Sequence, residues 1–172
     1  MAEALANILQ VQDWGMIQIR ADLTRAGDAI AGAAGLALPA QGRITSDGNR
    51  SLGWMSPDEL LLVLPQAEVA EALAALSDAL STEHALVLDV SDMRAAFRIQ
   101  GPKALQVLMK LCPADLAAMP EDGLRRTRAA QAACGIWREP GGYVLIGFRS
   151  VADYLRGILT GAAAPGTQLE PR

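Results

Sequence analysis

The chain has 172 residues, 51% of them hydrophobic and 20% charged, with a formal net charge of −4, a pI near 5.0 and a mean hydropathy of +0.20. The acidic balance argues against nucleic-acid binding, which draws on a basic excess, and the short, interrupted apolar runs leave nothing to span a membrane. Against a usual charged share of about 25%, a chain this apolar has either a large core or a surface that another protein covers. Residues 1–12 carry Glu3 and no basic residue, so no signal peptide is expected. Ile17 and Ile19 alternate with Gln18 and Arg20, which predicts a half-buried strand. A helix is expected over 23–34, with Leu23, Gly27, Ile30 and Ala34 on one face, and Gly35 and Pro39 punctuate its end. The polar stretch 41–50 reads as a loop. Strands follow at 51–55 and 60–64, joined by the tight turn Ser56-Pro57-Asp58-Glu59. Pro65 opens a helix with the stripe Val69, Leu73, Leu76 and Leu80, and 86–90 is a further strand.

The second half repeats that order. Phe97 and Ile99 alternate with Arg98 and Gln100, and Gly101-Pro102 begins a helix with the face Leu105, Leu108, Met109 and Cys112. After Pro113 a loop runs to Gly123. A strand over 127–138 turns at Gly141-Gly142 into 143–148, a hairpin signal. Ser150 and Asp153 form a capping-box pattern before a last helix with the stripe Val151, Tyr154, Leu155, Ile158 and Leu159. The Ala, Gly and Pro content beyond Gly161 suggests a frayed tail over 161–172. The order β-α-β-β-α thus occurs twice, about 80 residues apart, which is too long for a solenoid and suggests two related halves. The expected fold is α/β, or α+β, with mainly antiparallel sheets. It forms a single compact domain over 1–172 built of two pseudo-repeated halves at about 14–90 and 91–160. The strands 60–64 and 143–148 are apolar on both faces, so each must be covered on both sides, by helices and by the other half or a partner.

No residue pattern assembles a catalytic, cofactor-binding or metal site. His84 has no second histidine and reads as a solvated loop residue rather than a base or ligand. Cys112 lies on an apolar helical stripe and Cys134 in an apolar strand. Both read as core residues with free thiols, consistent with a reducing cytoplasm. Asp89 and Asp92 flank Ser91 and could do acid–base work or bind a hard cation with Arg94 nearby, but turn and capping chemistry accounts for them more simply. Gly32-Ala33-Ala34-Gly35 and Gly141-Gly142 match no phosphate-binding loop. Arg125, Arg126 and Arg128 form a short basic run without an aromatic platform, which suits a solvated strand end or a salt-bridge site for another protein. Trp54 and Trp137 read as core or interface anchors. The interface candidates are therefore Trp54, Arg126, Arg128 and Trp137.

Asp89-Val90-Ser91-Asp92, Arg94, Phe97-Arg98-Ile99 and Gly101-Pro102-Lys103-Ala104-Leu105 resemble the folate-binding domain of the glycine-cleavage aminomethyltransferases. Trp14-Gly15-Met16, Ser56-Pro57-Asp58-Glu59, Ile136-Trp137-Arg138, Gly141-Gly142-Tyr143 and the run from Phe148 to Leu155 narrow the resemblance to the gamma subunit family of heterotetrameric sarcosine oxidases, over residues 14–159. That resemblance implies a non-catalytic interaction subunit, with alpha, beta and delta subunits as partners. The complex would oxidatively demethylate sarcosine to glycine and pass the one-carbon unit to tetrahydrofolate. FAD, FMN, NAD, folate and zinc would belong to the other subunits. The aminomethyltransferases place a catalytic aspartate in the region matching 130–137, whereas no acidic residue lies between Arg125 and Arg138 here. A carboxylate to manage the proton of a folate-linked amine is therefore missing. The alternative is a free-standing folate-type ligand-binding domain.

Overall fold

The computed structural model describes residues 3–169, as two compact units: residues 13–92 form one, and residues 93–169 together with 3–12 form the other. In the first unit, β2 (Trp14–Arg20) leads to α1 (Leu23–Ala34), and β3 (Ile44–Asp47), β4 (Arg50–Ser56) and β5 (Glu59–Pro65) follow; α2 (Val69–Ala79) then precedes β6 (Leu86–Asp89). The second unit takes its first strand, β1 (Asn7–Val11), from ahead of all these. It continues with β7 (Arg94–Gln100), α3 (Ala104–Met109), β8 (Leu124–Ala129), β9 (Ala132–Glu139), β10 (Gly142–Phe148) and α4 (Ala152–Ala163). The sheet orders are β3-β4-β5-β2-β6 and β8-β9-β10-β7-β1, and the described pairings are antiparallel. Read position by position, the two orders are the same. β1 stands to β7 as β6 stands to β2, although β1 comes from the far end of the chain.

Local chemistry sets the elements. Asp22 caps α1 by accepting from the Thr24 N–H at 3.0 Å. Gly35 closes the helix in the left-handed region at φ 70°, its N–H returning to the Ala31 carbonyl. At the hairpin between β4 and β5, the Ser56 hydroxyl donates to Asp58 at 2.8 Å, and Asp58 accepts from Arg20 at 2.5 Å. That guanidinium, with the Ser56 hydroxyl, holds the Asp58 carboxyl below the usual carboxylate range. The α1 and α2 stripes bury Ile30 and Leu76 against Ile17, Ile19, Leu52, Leu60, Leu62 and Leu64. Each such side chain stabilises the fold by roughly 1.5–3 kcal/mol relative to exposure. In the other unit, Val107, Leu108, Leu155 and Leu159 meet Phe97, Ile99, Ile136 and Leu145. Every residue from Glu59 to Leu64 is buried, as is every one from Tyr143 to Gly147.

Several sequence expectations change. β3 lies inside the stretch read as loop: it is an edge strand with a single buried residue, Ile44, too weak a pattern to register. The strand expected over 127–138 is two strands, split by a turn in which Ala130 adopts φ 49°. β1 has no counterpart in the sequence reading. The α3 face is Ala104, Val107 and Leu108, while Met109 is 49% exposed, because the helix is short and turns Met109 outward. The capping box does not form: a 3-10 turn over Arg149–Val151 moves the cap to Val151, which makes no side-chain cap bond. Tyr154 leaves the α4 stripe and is 44% exposed, while Leu155, Leu159 and Ala163 carry it. α4 continues past Gly161, and the Lys110 ammonium donates to the carbonyls of Ala162 and Thr167. Residues 170–172 of the expected tail lie outside the described residues.

Candidate interaction surface

The four interface candidates separate on the structure. Trp54 lies on the helix-facing side of β4, partly buried against the core of its unit. Trp137, Arg126 and Arg128 share the opposite kind of face on β8 and β9. The cross-strand pairs there are Leu124 with Trp137, Arg126 with Gly135, and Arg128 with Ala133. Trp137 is only 5% exposed, so its ring lies beneath the surface beside buried Leu124 and Val144. The two arginines are exposed on the sheet's edge strand, opposite residues too small to cover them. Arg125, on the other face of β8, is exposed as well. The strand therefore presents three guanidiniums in a chain of net charge −4. Positive charge on a sheet edge discourages pairing with a like strand and favours a partner that brings carboxylates.

The other candidates fall into structural roles. Asp89 accepts from both the N–H and the hydroxyl of Ser91, at 2.9 and 2.5 Å, and the Ser91 hydroxyl in turn accepts from the Met16 N–H at 2.9 Å. This relay fastens the end of β6 to β2. Arg94 lays its guanidinium over the Phe148 ring, 5.2 Å from the centroid. His84 is exposed in the turn before β6. Among the described residues no group of three or more His, Cys, Asp and Glu could hold a metal ion.

A cleft of about 540 Å³ opens at the hairpin between β9 and β10, lined by Gly101, Pro102, Glu121, Arg138, Glu139 and Tyr143 among others. Two of its charged side chains are held by the protein itself. Arg138 stacks over Tyr143 at 5.7 Å and donates to the carbonyls of Leu116 and Ala117 at 3.3 and 3.2 Å. Glu139 pairs with Arg98 at 3.0 Å.

What sequence reading missed is the relation between the cysteines. Cys112, just past α3, and Cys134, on the helix-facing side of β9, are both 7% exposed and lie with their thiols in hydrogen-bond contact. The Cys134 S–H holds the Cys112 thiol below the usual range, and the same bond together with burial pushes Cys134 up. No spacing motif marks the pair; only the folding of β9 under the end of α3 brings it together.

Residues 20–165 match the Sarcosine oxidase, gamma subunit family (SoxG). The chain belongs to the sarcosine oxidase gamma subunit family. The gamma subunit of sarcosine oxidase from Corynebacterium sp. (strain U-96) is 38% identical over 115 residues, covering 64% of this chain and 55% of that protein. The chain thus spans about half the length of the curated gamma subunits it matches. In three dimensions it superposes on a chain of the heterotetrameric sarcosine oxidase from Corynebacterium sp. U-96, solved with pyrrole 2-carboxylate, with a TM-score of 0.87 and 28% identity. That superposition covers 97% of this chain and 88% of the other. The fold is also that of the glycine cleavage system aminomethyltransferase T from Bartonella henselae, with a TM-score of 0.71 at 17% identity, over 93% of this chain and 46% of that one. The gamma-subunit family and the aminomethyltransferase-like α/β fold expected from the motifs are therefore both found.

Proposed function

We propose that this chain is a non-catalytic gamma subunit that builds a heterotetrameric sarcosine oxidase with alpha, beta and delta partners in the cytoplasm. The observation that carries the reading is the near full-length superposition, TM-score 0.87, on a chain of such a complex. In the proposed assembly the other subunits oxidatively demethylate sarcosine to glycine and pass the one-carbon unit to tetrahydrofolate, holding FAD, FMN, NAD, folate and zinc. This chain's residues do not fit the folate role. β8 and β9 carry no carboxylate before Glu139, and Glu139 is paired with Arg98. The exposed β8 arginines, with Arg126 and Arg128 at the centre, are the proposed docking strand; Trp137 lies on the same face of the neighbouring strand, and Trp54 is a secondary contact.

Co-expression with the three partner subunits tests this. The expected product is one stoichiometric complex by size-exclusion chromatography with light scattering. The chain alone is expected to be colourless, to leave sarcosine unoxidised, and to self-associate or bind a hydrophobic dye. A dye-silent monomer that ignores the flavin subunits overturns the proposal. Micromolar tetrahydrofolate binding by calorimetry would instead support a free-standing folate-type domain.

A further inference from the structure

The helix-facing side of the second unit's sheet is marked by Phe97, Ile99, Cys134, Ile136 and Leu145, which all belong to its core cluster. Side chains alternate along a strand, so Arg94, Phe148, Ala133 and Arg128 point to the other face, that of the β8 arginines. The registers put these four in one row. Arg128 pairs with Ala133, and Phe148 pairs with Arg94. The pairing of β10 with β9 runs to Gly147 opposite Cys134, which makes Phe148 and Ala133 the next positions on the two strands. The chain has two phenylalanines: Phe97 is fully buried, whereas Phe148 is 43% exposed. Ala133 beside it is exposed and too small to cover it. The Arg94 guanidinium sits 5.2 Å from the Phe148 ring centroid and braces the ring where it stands. Charge along these strands is one-sided. The one acidic residue in β7, β8, β9 and β10 is Glu139, which pairs with Arg98, while Asp92, Asp122 and Asp153 lie outside them.

We propose that Phe148, between Arg94 and Arg128, is the apolar anchor of the docking surface, and that it receives a partner-subunit segment whose apolar side chain is flanked by carboxylates. This rests on the reading of the chain as an assembling subunit. The chemistry of the row selects the occupant. An apolar side chain laid on the ring removes its exposed surface from water. Carboxylates suit the two sides, because guanidiniums stand there in a row with no acid of its own. A second copy of this chain, meeting the face about a two-fold axis, would set the same guanidiniums against one another. Arg126 lies one row along on the same face, so the anchor and the arginine strand form one continuous patch. Interface centres are enriched in aromatic residues and arginine, and an anchor of this kind is where truncation costs most.

The test uses the co-expressed complex, with recovery of the assembled form as the readout. Phe148→Ala is expected to lower recovery about tenfold or more, while the isolated variant keeps its melting temperature within about 3 °C. The sign of the partner's charge is read from two further variants. Phe148→Asp is expected to lose more than Phe148→Lys, and the gap is expected to narrow as salt is raised. Full recovery of Phe148→Ala, where the wild-type chain assembles, would overturn the anchor and leave the subunit reading standing. A wild-type chain that enters no complex overturns both. Equal losses in Phe148→Asp and Phe148→Lys would overturn the acidic partner. A Phe148→Ala variant that loses only self-association would assign the face to a second copy, and a larger fall in melting temperature would assign the ring to folding; either result overturns the proposal.

Discussion

At Gly142 a Cβ would stand 2.0 Å from the carbonyl oxygen of Ile99, across the β10–β7 pairing, and 3.0 Å from the Gln100 Cα. Both obstacles are backbone, so neither yields without opening the sheet. Gly141 next to it has open space but sits at φ 83°. The two glycines are thus needed for different reasons, and the distinction is measurable. Gly142→Ala is expected to cost about 3 kcal/mol or more, at or above the upper end of overpacking penalties. Gly141→Ala is expected to cost about 1–2 kcal/mol through the left-handed backbone alone. Urea melts of the two variants check this, and equal losses would contradict the geometry. The sequence marks the pair as a hairpin turn, yet contains nothing to say that the second glycine answers to a neighbouring strand. The same blindness hides the cysteine contact, because proximity between distant positions leaves no local pattern.

Elements were legible where one face is strongly apolar. The α1 bounds coincide with the periodic run 23–34, and the hairpin around Ser56 to Glu59 is where turn chemistry puts it. Edge strands were not legible. β3 buries Ile44 alone, and β1 reads as polar and apolar residues without a firm period, since only one side of an edge is ever packed. Helix ends depended on caps that tertiary structure overrode, as when the 3-10 turn displaced Ser150. α4 gives the sharpest check of packing. Leu155 is fully buried, and its Cδ1 stands 2.5 Å from where a Gly147 Cβ would be, so helix and strand meet there without slack. Leu155→Ala is expected to cost about 2–5 kcal/mol, whereas Tyr154→Ala, at an exposed position, should stay within about 0.5 kcal/mol. Thermal and urea melts that fail to separate the two would mean that α4 packs on a different face.

For the whole molecule, the low charged share and the arginine strand bear on the same question of assembly. Obligate interfaces bury roughly 2,000 Å² or more and resemble a core cut open, so a handful of charges changes their stability only when centrally placed. Arg126→Glu with Arg128→Glu puts carboxylates where the proposed partner brings its own. It is expected to lower the yield of assembled complex at least about tenfold, with the loss deepening at low salt as the repulsion is less screened. The isolated variant should keep its melting temperature, because neither side chain is buried. Pull-down of the co-expressed subunits, scored against wild type at two salt concentrations, decides it. Unchanged recovery would move the docking strand elsewhere, while a fall in melting temperature would make the effect one of folding.

β1 completes a sheet whose next strand in sequence, β7, begins only at Arg94, with the remaining three further still along the chain. At a synthesis rate of about 5–20 residues per second, it leaves the ribosome roughly 4–16 s before β7 arrives to pair with it. Residues 13–92 can collapse in that interval, but β1 must wait as an unpaired ribbon carrying Leu9 and Ile8. The Leu5 N–H bonds the Ala163 carbonyl at 2.8 Å, so β1 could equally have been encoded after α4, as β6 is encoded after α2. A circular permutant that begins at Asp13 and appends residues 3–12 behind α4 would remove the wait. It should reach the native state faster and with less chaperone capture, at little change in final stability.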